Sequence, residues 1–166
     1  MRRGDGRMPV VSTPHGRIAA AICFYADFPE FIRQAGQRSA DLLIVPANEW
    51  KPIKSLHAQM AAFRAVENGV SLVRPAASGL STAIDPWGRV LGVADYFAAG
   101  DRTLTAQVPV AGVRTIYART GDIFAWLCVA GLVFALGIAV LAPRGQSSKV
   151  VQTPPAGARH EARVNI

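Results

Sequence analysis

The fold is decided by residues 17–46, which read RIAAAICFYADFPEFIRQAGQRSADLLIVP. Two short apolar runs, residues 17–23 and 41–46, have the length and composition of buried strands. The residues between them, 28–40, are long enough for a helix, and Pro29 suits the first turn of that helix. The stretch therefore predicts one strand, helix, strand unit.

The chain after this unit predicts a second helix and a series of strands. Residues 54–68 place Leu56, Met60, Phe63 and either Val66 or Glu67 at helical spacing as one apolar stripe, and Gly69 ends the helix. Four short extended segments follow, separated by turn residues: 70–75, 80–84, 89–94 and 102–110. Helices separate the early strands and tight turns join the late ones, which predicts an α/β or α+β sheet with mixed pairing.

Much of the apolar content lies in one segment. The chain has 166 residues, of which 51% are hydrophobic, and its mean hydropathy of +0.23 excludes a disordered polymer. Residues 123–142, IFAWLCVAGLVFALGIAVLA, contain no charge and would form about 30 Å of helix, the thickness of a bilayer's hydrocarbon layer. A buried helix of a soluble core would show a polar stripe, and this segment has none. We predict a folded domain over residues 1–120, a transmembrane helix over 121–143 and a disordered tail over 144–166.

Charge and cysteine content exclude several classes of protein. The formal net charge is +7, but the basic residues are scattered without a patch, which argues against nucleic-acid binding. The two cysteines, Cys23 and Cys128, cannot form a disulfide scaffold or a zinc ribbon, and we expect neither a metal nor a cofactor. His57 has no second histidine or cysteine at metal-binding spacing, so we expect it on the surface or in helix packing.

Cys23 is the candidate nucleophile. It ends an apolar strand and precedes the predicted helix start at Pro29, where backbone N–H groups and the helix dipole stabilise a thiolate or an oxyanion. Taken alone, these residues leave open the alternative of a small cysteine buried in the core.

Six ordered landmarks within residues 8–110 resemble the second half of the carbon-nitrogen hydrolase, or nitrilase, superfamily. That superfamily shows a cysteine after an apolar strand, an F-P-E helix start, a strand ending near P-x-x-W, an R-A-x-E-N helix, and a D-P-x-G turn after S-G-x-S. The corresponding positions here are Cys23 and residues 28–30, 46–50, 64–68, 78–81 and 85–88. The resemblance implies a partial α-β-β-α sandwich, about half of which this chain supplies, with Cys23 accepting an acyl group.

Residues 115–121, TIYARTG, immediately precede the apolar segment and resemble the end of the catalytic domain of the apolipoprotein N-acyltransferase branch. The resemblance implies an enzyme that takes an acyl chain from a phospholipid onto its cysteine and passes it to the N-terminal amine of a lipoprotein. Its partners would be a phospholipid donor, a lipoprotein acceptor and membrane lipids. Basic residues after the span favour a cytoplasmic tail and an outer, periplasmic catalytic part in a bacterial inner membrane.

The chain departs from the superfamily pattern around the cysteine. The superfamily's catalytic Glu and Lys lie well before the cysteine, and the 22 residues before Cys23 contain neither. We therefore expect this chain alone to be inactive and to require an N-terminal half. The acids that could substitute are Asp27, Glu30, Glu49 and Glu67, although Glu30 and Glu67 belong to the landmarks and are expected to brace helices.

Six further residues are candidates for lining a substrate pocket or supporting the site: Phe24, Tyr25, Glu30, Asn48, Trp50 and Arg74. Phe24 and Tyr25 stand where the acyltransferases usually carry Tyr-Glu, and residues 47–50 are closer to the amidase pattern. Two alternatives therefore remain open. One is a membrane-tethered amidase that passes the acyl group from the same cysteine to water, and the other is a non-catalytic fragment or subunit.

Overall fold

The computed structural model describes residues 5–98 and 103–141. Within them, six strands form one sheet in the order β1-β2-β3-β5-β7-β8, and β4 and β6 form a separate parallel pair. The strands are β1 (Val10–Thr13), β2 (Gly16–Ala20), β3 (Leu42–Ile44), β4 (Ala47–Asn48), β5 (Ser71–Arg74), β6 (Ala76–Ala77), β7 (Leu80–Ile84) and β8 (Val90–Asp95). The helices are α1 (Pro29–Gln37), α2 (Lys54–Asn68), α3 (Ile116–Thr120) and α4 (Ile123–Leu141).

The pairing is mixed, as the sequence predicts. Strands β2, β3 and β5 run parallel in the centre of the sheet, while β1, β7 and β8 pair antiparallel toward its two edges. Helix α1 connects β2 to β3, and α2 lies between β3 and β5. Because parallel strands end on the same side, the segments that follow β2, β3 and β5 meet at one edge of the sheet.

The core lies between one face of the sheet and the two crossover helices. A row of four side chains in register across the central strands is at most 1% exposed: Ala19, Leu43, Leu72 and Ile84. Ile32 and Ala35 of α1 and Ala61 and Ala65 of α2 belong to the same buried cluster. Each large aliphatic side chain buried in this way contributes about 1.5–3 kcal/mol of transfer free energy.

Helix α2 has the predicted bounds but buries a different face. Gly69 ends it in the left-handed conformation, with φ +63°. Leu56, Phe63 and Val66 of the apolar stripe are 56%, 65% and 43% exposed, so the stripe does not face the core. The buried residues are instead small ones at the same helical spacing: Ala58, Ala61, Ala65 and Asn68. Small side chains let the helix backbone approach the sheet closely, and hydrophobicity alone does not reveal this preference.

Two predicted strands differ from the structure. The first ends at Ala20 rather than at Cys23; the chain continues extended beside β3, with the Ala21 amide bonded to the Ile44 carbonyl, until Cys23 begins a 3-10 turn over Cys23–Asp27. Of the predicted segment 102–110, residues 103–110 form no strand and residue 102 lies outside the described residues. This segment crosses the sheet face opposite the helices, where the Ser71 hydroxyl donates a hydrogen bond to the Pro109 carbonyl at 2.5 Å.

Helix α4 is apolar along its whole length. It has 19 residues with a mean hydropathy of 2.6, and none of its residues is buried. Within residues 5–98 and 103–141 it is the one helix long and apolar enough to cross a membrane. The predicted tail, 144–166, lies outside the described residues.

The turn between β7 and β8 is organised by one buried carboxylate. Asp85 accepts hydrogen bonds at Oδ1 from the amides of Trp87 and Arg89, each at 2.9 Å, and at Oδ2 from Nε of Arg89 at 2.6 Å. Burial acts to raise the pKa of Asp85, but the hydrogen bonds from Arg89 and Trp87 outweigh it and leave the pKa below its ordinary value. The charged form of Asp85 therefore stabilises the hairpin.

We predict that Asp85→Asn lowers the free energy of unfolding at neutral pH. The difference in this free energy between variant and wild type should become smaller as the pH falls below about 4. A carboxyl with a lowered folded-state pKa stabilises above its unfolded-state pKa, and this contribution is lost as the pH falls through the folded-state value. Urea unfolding of the detergent-solubilised chain over a pH series measures the difference. A gap that stays constant with pH contradicts the prediction.

Candidate active site

Cys23 lies at the edge of the sheet where the parallel strands end. Two residues, Ala21 and Ile22, separate it from the end of β2, and its amide donates a hydrogen bond to the Pro46 carbonyl, after β3, at 2.8 Å. Its φ of +49° lies in the left-handed region, which non-glycine residues adopt at a cost. The 3-10 turn separates Cys23 from Pro29, the first residue of α1. Cys23 therefore does not stand directly before the N-terminus of that helix, where the sequence analysis places it.

The thiol is half-buried and reachable rather than sealed in the core. Its Sγ lies 3.5 Å from the backbone carbonyl oxygen of Asn48, to which the thiol donates a hydrogen bond. Asn48 belongs to β4, which follows β3. The thiol of Cys23 therefore contacts the segment that follows the neighbouring strand, β3. Asn48 takes part in this contact through its backbone carbonyl and not through its side chain.

A buried carboxylate lies next along the chain. The side chain of Glu49 is 1% exposed, and its Oε1 receives Nη2 of Arg74 in an ion pair and Nδ1 of His57 at 2.7 Å. Arg74 ends β5, is itself 3% exposed, and donates a second hydrogen bond to the Leu80 carbonyl at 3.0 Å. A buried carboxylate needs such partners, because desolvation of an unpaired charge costs several kcal/mol.

His57 extends this pair toward the cysteine. Its Nε2 lies 3.8 Å from Oδ2 of Asp27, which is the last residue of the turn that Cys23 begins. The imidazole is 20% exposed and stands between two carboxylates that belong to different segments. The imidazole is therefore partly buried against neighbouring segments and bonded to Glu49, rather than free on the surface. The sequence did carry a signal, since His57, Ala61 and Ala65 follow one another at four-residue spacing on the buried side of α2.

The second oxygen of Glu49 is confined. Among the described residues, Oε2 is buried without a hydrogen-bond partner, and a Cβ built on Gly79 would stand 2.5 Å from it. Gly79 precedes β7 and is buried. Only a residue without a side chain leaves room for the carboxylate that Arg74 and His57 hold from the other side.

Aromatic side chains cluster beside the cysteine on the solvent side. Phe24 and Tyr25 are 62% and 57% exposed, and they contact Phe28 and Phe31 at ring-centroid distances of 5.2 Å and 5.3 Å. A largely apolar cavity of about 530 Å³ lies against this cluster, lined by Gly6, Tyr25, Phe28, Glu30, Phe31 and Gln34. Trp50 is 60% exposed. Phe24, Tyr25, Glu30 and Trp50 remain candidates for substrate contact.

The remaining candidates are placed as follows. Arg74 does not contact Cys23, because its guanidinium is committed to Glu49 and Leu80. Glu67 forms an ion pair with Arg64 at 2.8 Å near the end of α2, and its backbone carbonyl accepts a hydrogen bond from Thr115. Burial raises the pKa of Glu67. It therefore braces α2 against the segment before α3 and supplies no group to the cysteine.

Three comparisons with known proteins point to the same protein family. A model of the carbon-nitrogen hydrolase family matches residues 1–118. The apolipoprotein N-acyltransferase of Geobacter metallireducens is 37% identical over 145 residues, which are 85% of this chain and 27% of that protein. The apolipoprotein N-acyltransferase of Rhodopseudomonas palustris is 38% identical over 112 residues, 66% of this chain and 20% of that protein. The chain thus spans about a quarter of the length of these relatives.

Solved structures of an amidase from Nesterenkonia sp. AN1 have a similar fold. A structure of this amidase with the acetamide moiety of fluoroacetamide added covalently at its active-site cysteine is 29% identical, with a TM-score of 0.50 over 56% of this chain and 39% of that one. Another structure, after Michael addition of acrylamide at that cysteine, aligns over 76% of this chain and 50% of that one with a TM-score of 0.55 at 23% identity. The second likeness supports the fold alone.

We predict that Gly79→Ala lowers the free energy of unfolding by about 1–3 kcal/mol, the usual cost of overpacking a tight site. The new methyl group would push against Oε2 of Glu49 while Oε1 is held by Arg74 and His57. Urea unfolding followed by circular dichroism measures the change. Gly131→Ala is the matched control, since a Cβ there meets no atom within 4 Å. Equal losses in the two variants, or none in either, contradict the prediction.

Proposed function

The chain belongs to the carbon-nitrogen hydrolase family, and on that premise we propose that it carries the nucleophile, Cys23, of a membrane-bound apolipoprotein N-acyltransferase. The observation that carries the proposal is the half-buried thiol at the strained turn where β2 ends, beside the segment that follows β3. A cysteine in this position is reachable by a substrate and is held by its backbone.

In the proposed first half-reaction, Sγ of Cys23 attacks the carbonyl carbon of a phospholipid acyl ester. The new S–C bond forms, the ester C–O bond breaks, and the thiol proton leaves with the lysophospholipid alcohol. A tetrahedral intermediate lies between these states, and its oxyanion requires a hydrogen-bond donor or a cation. The product on the protein is a thioester at Cys23.

In the second half-reaction, the N-terminal amine of a lipoprotein attacks the thioester. The N–C bond of an amide forms, the C–S bond breaks, and a proton from the amine returns to the sulfur. The names of the curated relatives support this acceptor. The exposed aromatic cluster at Phe24 and Tyr25 offers an apolar surface for an acyl chain next to the thiol.

The proposal places the catalytic domain in residues 1–120 and a membrane-spanning segment in residues 121–143. A helix that is apolar on every side, such as α4, is far more stable in lipid than in water. Location in a bacterial inner membrane belongs to the same proposal, and the basic residues after the span support an orientation with the catalytic part on the outer side and the tail, 144–166, in the cytoplasm.

Amidase activity is the second candidate. The amidase from Nesterenkonia is a structural neighbour that reacts at an active-site cysteine, and residues 46–50 resemble the amidase pattern. The acyl group of the same thioester would then pass to water. A non-catalytic fragment or subunit is the third candidate. For the 166 residues alone we propose no acyl transfer, because the superfamily's Glu and Lys are absent before Cys23.

We predict that Cys23 acquires a long-chain acyl group when the chain is expressed together with the Glu- and Lys-bearing part of a carbon-nitrogen hydrolase domain and supplied with phospholipid vesicles. A thioester forms because a thiolate is then available beside the acyl carbonyl. Mass spectrometry of the peptide that contains Cys23, before and after hydroxylamine, detects the adduct.

Two variants and two substrates separate the candidates. Cys23→Ser removes the hydroxylamine-sensitive adduct, and Cys128→Ser, which changes the other cysteine of the chain, retains it. A short acyl adduct from a simple amide, with none from phospholipid, supports the amidase. No adduct from either substrate supports the non-catalytic candidate and contradicts the proposal.

A further inference from the structure

The position of the Cys23 thiol depends on two chain segments that come from different strands. One is the 3-10 turn Cys23–Asp27 after β2, and the other contains Asn48 and Glu49 after β3. The backbone joins them at one end, where the Cys23 amide binds the Pro46 carbonyl and the thiol reaches the Asn48 carbonyl. The opposite end of the turn leads into α1, where the Phe28 amide donates a hydrogen bond to the Tyr25 carbonyl, and the Asp27 side chain makes an additional contact there.

His57 is the side chain that bridges the two segments there. Nδ1 lies 2.7 Å from Glu49 Oε1, which is a hydrogen-bond distance, and Nε2 lies 3.8 Å from Asp27 Oδ2, which is an ion-pair distance. The imidazole comes from neither segment, since it projects from α2. It therefore acts on the cysteine from a third element.

We propose that His57 is a positioning residue whose protonation clamps the cysteine-bearing turn to the segment after β3. This inference rests on the proposed role of Cys23 as the nucleophile. Doubly protonated, the imidazole donates toward Glu49 from Nδ1 and attracts Asp27 at Nε2. Neutral with the proton on Nδ1, it keeps Glu49 but presents a lone pair to the Asp27 carboxylate, which releases that end of the turn.

The other charged groups near His57 already have partners, so the contact between His57 and Asp27 is the one that depends on the protonation of His57. Arg74 from β5 binds the same Glu49 oxygen and balances that carboxylate. Lys54, one turn before His57 on α2, is paired with Asp95 of β8. The two arginines at α1 are engaged with backbone carbonyls: Arg33, within the helix, with those of Ala118 and Arg119, and Arg38, just after its last residue, with that of Met8. Asp27 is thus the charged group whose attachment changes when His57 titrates.

Release of the turn changes how the thiol reacts. In the clamped state the thiol stays against the Asn48 carbonyl, a hydrogen bond made by the neutral S–H form. When Asp27 is released, the turn loses one anchor and the sulfur leaves that acceptor more readily. The proposal therefore couples the accessibility of Cys23 to an imidazole 34 positions later in the chain.

The test is the rate of iodoacetamide alkylation of Cys23 as a function of pH, in a Cys128→Ser background where Cys23 is the one remaining cysteine. We expect the alkylation rate to rise by up to about fivefold beyond its rise in the His57→Gln variant as the imidazole loses its proton, the upper size of one partly exposed ion pair. His57→Gln and Asp27→Asn should each abolish this step, because in either variant the contact between positions 57 and 27 no longer depends on the protonation of an imidazole. The double variant should have the same alkylation profile as either single variant.

The control is His15→Gln, which changes an exposed histidine in the β1–β2 turn and should leave the step in place. Unfolding midpoints are measured for every variant. If His57→Gln does not fold, Asp27→Asn, which removes a charge with little change of shape, decides alone. A step that persists in these variants, no step in the wild type, or a shifted unfolding midpoint with an unchanged alkylation profile each overturns the proposal.

The alkylation test does not depend on acyl transfer. Iodoacetamide requires neither a phospholipid nor the superfamily's Glu and Lys, so the step can be present in a chain that never forms a thioester. Conversely, a thioester on Cys23 in a protein without the pH step would support the proposed function and reject the clamp. The two proposals can therefore fail separately.

Discussion

The buried ion pair between Glu49 and Arg74 is the interaction on which the rest of the site depends. It joins the segment after β3 to the last residue of β5, the two strands that lie beside each other at the centre of the sheet. Breaking such a pair by removing one partner leaves an uncompensated buried charge, which costs about 3–5 kcal/mol. The pair also fixes the oxygen that His57 binds, and through His57 and Asp27 it reaches the turn that carries the cysteine.

Close packing makes this arrangement possible. Gly79 leaves space for the second carboxylate oxygen of Glu49, and the alanines of α2 let the helix bring His57 down to the sheet edge. Larger residues on either side would hold the groups apart by more than a hydrogen bond can span. The polar network and the small-residue packing are therefore two aspects of one constraint, since charges can be buried only where partners come close.

The sequence predicts the elements well and the side-chain contacts poorly. The strand, helix, strand unit, the bounds of α2 and the left-handed Gly69 follow from local patterns of hydrophobicity and turn residues. Those patterns place Leu56 and Phe63 on one apolar stripe but do not show which face of α2 meets the core, because hydrophobicity says nothing about the space available beneath a helix. The contact of His57 with Glu49 and Asp27 was missed for a related reason. Contacts between residues on three separate elements depend on the crossovers, which no local spacing encodes.

The left-handed backbone at Cys23 has a consequence for how this chain changes over generations. A residue with a side chain costs about 1–2 kcal/mol in that conformation, and glycine relieves the cost. In a copy that no longer needs the sulfur, drift to glycine at this position would be favoured by folding alone. A cysteine here therefore opposes what folding stability alone would select, and the proposed role of Cys23 as a nucleophile supplies a reason for it.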